Sequence, residues 1–272
     1  MRQERNQGDL RMRLFIEDTL FHAAGAPLPL DLPHARACDA LATGEPARPP
    51  MAGTVYGVLH NDPAALAAMG DRVLAPPYKA APKAPVLYIK PRNTHLGHGR
   101  AIPLPPGAEA VQVGAALGAV IGRTACRVAP GDALDYVAGY TVVNDVTLPH
   151  REFYRPSLRL RVRDGFCPMG PWVRAARQVG NPDALDLRVW IDGALRLRSS
   201  TRGFLRPLPQ LIADVTDFMT LQPGDVLLTG LPWPGDFDGP LAHDGQRVAI
   251  EIENVGRLEN PVVRASVQGG SA

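Results

Sequence analysis

Cysteine is scarce in this chain of 272 residues: Cys38, Cys126 and Cys167 lie far apart and form no CxxC pair. That spacing argues against both a structural zinc site and a disulfide framework. An excess of charge of one sign is lacking too. Lysine and arginine number 29 against 27 acidic residues, a net of +2, so there is no electrostatic footprint for nucleic acid. No uninterrupted apolar run approaches the roughly 18 residues that span a bilayer. The start carries Arg2, Arg5 and Arg11 but no apolar core of the signal-peptide kind. These absences predict a soluble, cytoplasmic protein with neither nucleic acid nor membrane as partner.

What is abundant is turn formers. Twenty-eight prolines and 27 glycines argue against long helices and for many short strands joined by loops. A hydrophobic content of 45% is enough for a large core. Residues 1–50 differ from the rest: a short helix over 12–24 and then a Pro/Ala-rich stretch suit an N-terminal arm or lead-in segment. Residues 51–272 read as the main domain. Strands are predicted over 54–59, 86–89, 110–121, 140–146, 158–163, 226–229 and 248–252, with the one over 86–89 buried. A hairpin turns on Asp192-Gly193, a strong short-range turn signal. Asp62 as N-cap, Pro63 at the first position and Gly70 as stop predict a short helix over 63–69. Another short helix is expected over 132–137. Leu208, Leu211, Ile212, Val215, Phe218 and Met219 form one helical face within 208–221. The period-two spacing of Arg159, Arg161 and Arg163 predicts a cationic strand face, compatible with a small anionic molecule.

Several segments then stand out together. Tyr140-Thr-Val-Val-Asn-Asp-Val-Thr147 resembles the Gly-Tyr-x-x-x-Asn-Asp-Val-Ser/Thr signature of the fumarylacetoacetate hydrolase family. Tyr88-Ile-Lys-Pro91, Leu117 to Gly122, Asp164 to Trp172, the Asp192-Gly193 hairpin and Pro223 to Gly230 match the family in order, from about Met51 to Val263. The resemblance implies a β-rich α+β fold, a mixed β-roll with a few short helices. Phe153-Tyr-Arg-Pro156 and Arg163 to Pro168 resemble one branch, the N-terminal half or subunit of the decarboxylase/isomerases of homoprotocatechuate (4-hydroxyphenylacetate) breakdown.

In the family an Asp completes a divalent metal site begun by a Glu-x-Glu pair. Here Asp145 matches that Asp, but the two glutamates fall on Gly114 and Ala116. Asp145 is then the only matched metal ligand, and no cofactor is expected, although oxygen ligands would suit magnesium or manganese. The alternative for Asp145 is a structural carboxylate bonded to backbone amides or a nearby arginine. A His–Glu dyad of hydrolytic members falls on Ala65 and Ala68, which cannot move a proton. The family lysine falls on Arg161, either a carboxylate-matching fork or an exposed strand-face residue. A substrate-gripping arginine falls on Pro149, leaving Arg151 or Arg155 as replacements, and a Gln falls on Glu152. The hydroxyl of a Gly-Thr-Pro motif is lost at Leu231.

The matched positions thus point to Arg161 and Glu152 for catalysis and to Lys90, Arg155 and Asp145 for substrate binding. His150, next to this cluster, joins the catalytic set as an acid/base, the other reading being a solvated loop histidine. For Lys90 a surface lysine with a buried stem is the other reading. His95 and His98, three apart in a loop, have no evident third metal ligand. The implied activity is decarboxylation of 5-carboxymethyl-2-oxo-hex-3-ene-1,7-dioate or tautomerisation of 2-hydroxyhepta-2,4-diene-1,7-dioate, and the partner a small anionic dicarboxylate. The alternatives are a non-catalytic partner of a metal-bearing paralogue, or acylpyruvate hydrolysis or oxaloacetate decarboxylation. A homodimer or a heteromer with such a paralogue is expected.

Overall fold

A stretch of small and branched apolar residues, Ala115–Ile121, is buried along its whole length and forms the central strand of the molecule. Strands covered on both faces read as continuous apolar runs, which is why the alternation typical of half-exposed strands is missing here. The computed structural model describes residues 49–76, 79–150, 157–231 and 239–265. Nearly all of the expected N-terminal arm lies outside the described residues, as do Arg151, Glu152 and Arg155.

Along the chain come β1 (Val55–Leu59), α1 (Pro63–Ala68), β2 (Val86–Lys90), β3 (His95–Leu96), β4 (Ile102–Leu104) and β5 (Ala110–Gln112). β6 (Ala115–Ile121), β7 (Val137–Asn144), α2 (Leu158–Arg161), β8 (Cys167–Ala175), α3 (Ala176–Val179) and β9 (Asp186–Ile191) follow. The remainder is β10 (Ala194–Ser200), α4 (Leu208–Thr216), β11 (Val226–Leu228), β12 (Leu241–His243), β13 (Arg247–Ile252) and β14 (Gly256–Arg264). Seven strands form one sheet in the order β2-β1-β11-β6-β7-β8-β3, and five form a second in the order β10-β9-β13-β14-β4. β5 and β12 pair separately. The expected β-rich α+β roll with few short helices is what the chain forms. Among the described residues no helix is long and apolar enough to cross a membrane.

The main core lies between the two large sheets. Leu117, Ala119 and Ile121 of β6 and Tyr140 and Val142 of β7 meet Leu187, Val189, Ile250, Ile252 and Leu258 from the five-stranded sheet. Leu208, Leu211, Ile212 and Val215 of α4 join the same core. Phe218, expected on that helical face, is 68% exposed, because the helix ends at Thr216. On the opposite side of the seven-stranded sheet, Met51, Val55, Ala116, Val143, Cys167 and Met169 form a second apolar cluster, with Leu231 packed against it.

Local signals set several of these elements. Asp62 accepts a hydrogen bond from Ala64 N at 2.7 Å and caps α1. Asp192 and Gly193 both take positive φ, the conformation of a tight two-residue hairpin turn between β9 and β10. The region expected as a helix over 132–137 is a 3-10 turn, Pro130–Tyr136.

Three expectations are corrected. The strand predicted over 110–121 breaks at Val113-Gly114, where β5 leaves to pair with β12. The strand over 86–89 is not buried throughout: Ile89 is 47% exposed while Tyr88 and Lys90 turn inward. The third concerns 158–163, which is no strand at all. A single helical turn forms there, with Val162 N donating to Leu158 O at 2.8 Å. Its carbonyls find partners outside any ladder: Leu148 N and Thr147 Oγ1 bind Leu160 O, and Lys90 Nζ binds Arg161 O. The period-two arginines therefore share no strand face.

Candidate functional site

β2 sends Tyr88 and Lys90 to the same side of the sheet, as strand alternation requires. Tyr88 lies opposite Gly57 of β1, and a Cβ at Gly57 would run into the tyrosine ring. That glycine is the space in which the ring sits. Asp145 follows the last residue of β7, and Arg161 closes α2. The fold brings these four side chains together in the interior, Lys90 and Asp145 fully buried and Arg161 only 7% exposed.

The Asp145 carboxylate is the centre of the group. Its Oδ1 lies 2.7 Å from Lys90 Nζ, and its Oδ2 accepts from Arg161 Nη1 at 3.1 Å and from the Tyr88 hydroxyl. Lys90 Nζ donates to the carbonyls of Val146 and Arg161 at 2.7 Å each and of Phe166 at 2.9 Å. An ammonium has three hydrogens, and these carbonyls take them all. Asp145 Oδ1 therefore gains the charge of Lys90 without a directed hydrogen bond, and it stands without a hydrogen-bond partner among the described residues.

The titration behaviour follows from this packing. Burial alone would raise the Asp145 carboxyl, but the charges of Lys90 and Arg161 and the hydrogen bond from Tyr88 outweigh it and hold the group below its ordinary value. Burial, together with the Asp145 charge, keeps the Tyr88 phenol well above its ordinary value, so it remains a donor. Burial pulls Lys90 below the usual lysine value, against the pull of Asp145. Cys167, beside this group at the start of β8, is pushed by burial up to about 12 and stays a thiol, unsuited to nucleophilic attack. With two cations, one anion and a neutral phenol the group carries a formal charge of +1. Arg161 Nε is buried and has no hydrogen-bond partner among the described residues, so the surplus charge sits on a guanidinium with a donor to spare.

Of the expected site residues, the structure gathers Lys90, Asp145 and Arg161. Lys90 is a fully buried ion and not a surface lysine with a buried stem, and Arg161 is not an exposed strand-face residue. His150 lies half-buried, five residues after Asp145, while Glu152 and Arg155 are outside the described residues. Tyr88 was not singled out from the sequence. Its signals there were its place in the family-like Tyr88-Ile-Lys-Pro91 segment and a position two residues before Lys90, which places both side chains on one strand face.

His95 and His98 part company: His95 Nε2 lies 3.2 Å from Lys90 O, and His98 Nδ1 accepts from Glu259 N at 3.2 Å. Asn61 acts as a strut, donating to Thr229 O at 2.7 Å and Arg206 O at 3.0 Å.

The residues present do not suit a divalent ion. The carboxylate of Asp145 already faces two cationic side chains, and a metal would meet their repulsion. Gly114 lies against the backbone of Asp145 without a side chain: Asp145 N donates to Gly114 O at 2.7 Å, and a Cβ at Gly114 would run into the Asp145 carbonyl oxygen. Ala116 is buried in apolar surroundings, and a Leu231 methyl lies 3.2 Å from where the Gly114 Cβ would be. Among the described residues no three His, Cys, Asp or Glu side chains converge as a metal site.

Known proteins share this arrangement of strands. The model of the fumarylacetoacetate (FAA) hydrolase C-terminal family matches residues 54–263. The 4-hydroxyphenylacetate degradation bifunctional isomerase/decarboxylase of Escherichia coli is 40% identical over 213 residues, 78% of this chain and 48% of that protein. The chain thus spans about half the length of the curated relative it matches. The crystal structure of 2-hydroxyhepta-2,4-diene-1,7-dioate isomerase from Mycobacterium marinum is 29% identical with a TM-score of 0.65, covering 81% of this chain and 78% of that one. That of 5-carboxymethyl-2-hydroxymuconate delta-isomerase from Mycobacterium smegmatis is 32% identical with a TM-score of 0.64, covering 80% and 82%. With its scaffold matched over 54–263 and its Asn-Asp signature closing the central hairpin, the chain belongs to the fumarylacetoacetate hydrolase C-terminal family of enzymes.

Proposed function

We propose that this chain is a metal-independent isomerase of unsaturated 2-oxo dicarboxylates, converting 2-hydroxyhepta-2,4-diene-1,7-dioate into 2-oxohept-3-ene-1,7-dioate. The observation that carries this reading is the buried surplus cation at Arg161, next to Asp145 and Lys90. Support also comes from the similar structures, one named as a 2-hydroxyhepta-2,4-diene-1,7-dioate isomerase and the other as a 5-carboxymethyl-2-hydroxymuconate delta-isomerase.

In the tautomerisation the 2-hydroxyl proton leaves, its electron pair forms the C2 carbonyl, and the C2–C3 double bond moves to C3–C4. The electrons of the C4–C5 double bond take up a proton at C5. The intermediate is a dienolate whose charge rests on the C2 oxygen. A preorganised guanidinium stabilises such an oxyanion in a dry site, where the interaction is far stronger than in water. Arg161 has the donors for it, and Asp145 and Tyr88 hold its fork in place. His150 is the candidate among the described residues for carrying the proton, because imidazole titrates near neutral pH. Decarboxylation of 5-carboxymethyl-2-oxo-hex-3-ene-1,7-dioate passes through the same dienolate once carbon dioxide has left, so one oxyanion site would serve both steps.

A second reading is favoured by Gly114, Ala116 and the covering Leu231: a non-catalytic partner of a metal-bearing paralogue. One assay separates the two. The ultraviolet absorbance of the dienol is followed with purified protein in the presence of a chelator. Decay by the wild type, with Arg161→Ala slower by about 10²- to 10³-fold, is the expected result. No decay by the chain alone, but decay once a metal-bearing paralogue is added, would establish the partner role.

A further inference from the structure

Four oxygen atoms surround Lys90 Nζ: the carbonyls of Val146, Arg161 and Phe166 and Asp145 Oδ1, at 2.7, 2.7, 2.9 and 2.7 Å. They are not scattered over the molecule. β7 ends at Asn144 and β8 begins at Cys167, and all four belong to the excursion between them. Asp145 and Val146 stand at its start, Arg161 and Phe166 at its end. One side chain from a third strand, β2, therefore fastens both ends of this excursion at a single point. Bonds within the excursion close the same gap, Val146 N to Phe166 O at 3.1 Å and Leu148 N to Leu160 O at 3.1 Å.

We infer that Lys90 is a positioning residue: its ammonium holds the backbone at Arg161 and the carboxylate of Asp145 so that the Arg161 guanidinium is set for an anionic substrate oxygen, and Lys90 itself never meets the substrate. The inference rests on the reading that Arg161 receives that oxygen. Three arguments carry it. All hydrogens of Lys90 are committed to backbone, so none remains for a ligand. Its charge faces the Asp145 carboxylate, leaving the surplus on Arg161. Its bond to the carbonyl of Arg161 acts on the very residue whose Nε has no hydrogen-bond partner among the described residues. A site whose supporting contacts are loosened loses its geometry before it loses its residues. An arginine could not replace the lysine, since a planar fork does not match oxygens arranged around a compact ammonium.

The test compares wild type, Lys90→Met, Arg161→Ala and the double variant. Binding of 2-oxopimelate, the saturated analogue, is measured by titration calorimetry, and amide hydrogen exchange is followed over 145–167. In Lys90→Met, exchange should accelerate in that segment and not across β13 and β14. Affinity for 2-oxopimelate should fall by about tenfold or more. In the Arg161→Ala background the same change should add nothing, because Lys90 acts through Arg161. An equal further loss in that background would overturn the inference and make Lys90 a direct ligand. Unchanged exchange in the segment would overturn it as well. Should Lys90→Met not fold, Lys90→Gln, which keeps two of the three donated hydrogens, carries the same comparison. Wild-type protein that binds no 2-oxopimelate would sink the functional reading and with it the role of Arg161, while the exchange data would still decide whether Lys90 ties the segment.

Discussion

Asp145 is a carboxylate that burial alone would neutralise and that two cations keep ionised. Replacing it by the isosteric Asn removes the one anion that, among the described residues, pairs with Lys90 and Arg161. Breaking one side of a buried charge group costs roughly 3–5 kcal/mol, so Asp145→Asn should lower the urea midpoint by that equivalent at neutral pH. The pH dependence has a definite sign. A carboxyl whose folded value lies below its ordinary 3.8 contributes stability that is full above that value and is lost as pH falls through the depressed one. Wild-type stability should therefore decline more steeply than that of Asp145→Asn as pH falls below about 4. Parallel urea titrations of the two proteins check this, and equal slopes would contradict it. At this scale the sequence marked Lys90, Asp145 and Arg161 but left the environments of Lys90 and Arg161 open between buried and exposed readings. Nothing local to Lys90 announces that three carbonyls wait for it 56 to 76 positions away.

At the scale of elements, the break between β5 and β6 does the most to shape the site. Gly114 N donates to the Asn144 side chain at 3.0 Å and Gly114 O accepts from Asp145 N, so the two backbones touch where a side chain would otherwise stand. Gly114→Ala should cost roughly 1–3 kcal/mol by overpacking, read as a drop in thermal midpoint. A neutral outcome would mean that the Asp145 backbone can yield. For the same reason, restoring a glutamate at Gly114 would not restore a metal site by itself. The helix of α2 was the element least legible beforehand. Arg159, Arg161 and Arg163 alternate as a strand does, yet among the described residues no strand offers a ladder there, and the carbonyls of Leu160 and Arg161 bind Leu148 and Lys90 instead. The opposite case is the β9–β10 hairpin, where Asp192-Gly193 dictates the turn by its own dihedral preference.

For the molecule as a whole, the shared core ties the two large sheets into one cooperative unit. Leu117 of β6 is fully buried in the cluster that also holds Leu187 of β9 and Ile250 of β13. Leu117→Ala should cost about 2–5 kcal/mol through the cavity it leaves. Fluorescence and circular dichroism should still report one coincident urea transition. Two separated transitions would show that the sheets unfold independently. The second apolar cluster lies on the other face of the same sheet, so the site stands at the end of a layer packed on both sides.

What the sequence determined by itself was everything that local preference and ordered motifs encode. The turn formers and the Asp-Gly pair predicted a β-rich chain, the 208–221 spacing a helix, and the Asn144-Asp145 signature the scaffold. The absence of the two glutamates at Gly114 and Ala116 was also legible at once. Only the tertiary structure decided that Lys90 is a buried ion, that Arg161 turns inward from a helix, and that Tyr88 completes the group. Tyr88 and Asp145 are 57 positions apart, and Lys90 and Arg161 71. Periodicity and capping act over a few residues, whereas the pairing of charges in a low-dielectric interior depends on which distant segments the folded core brings into one volume.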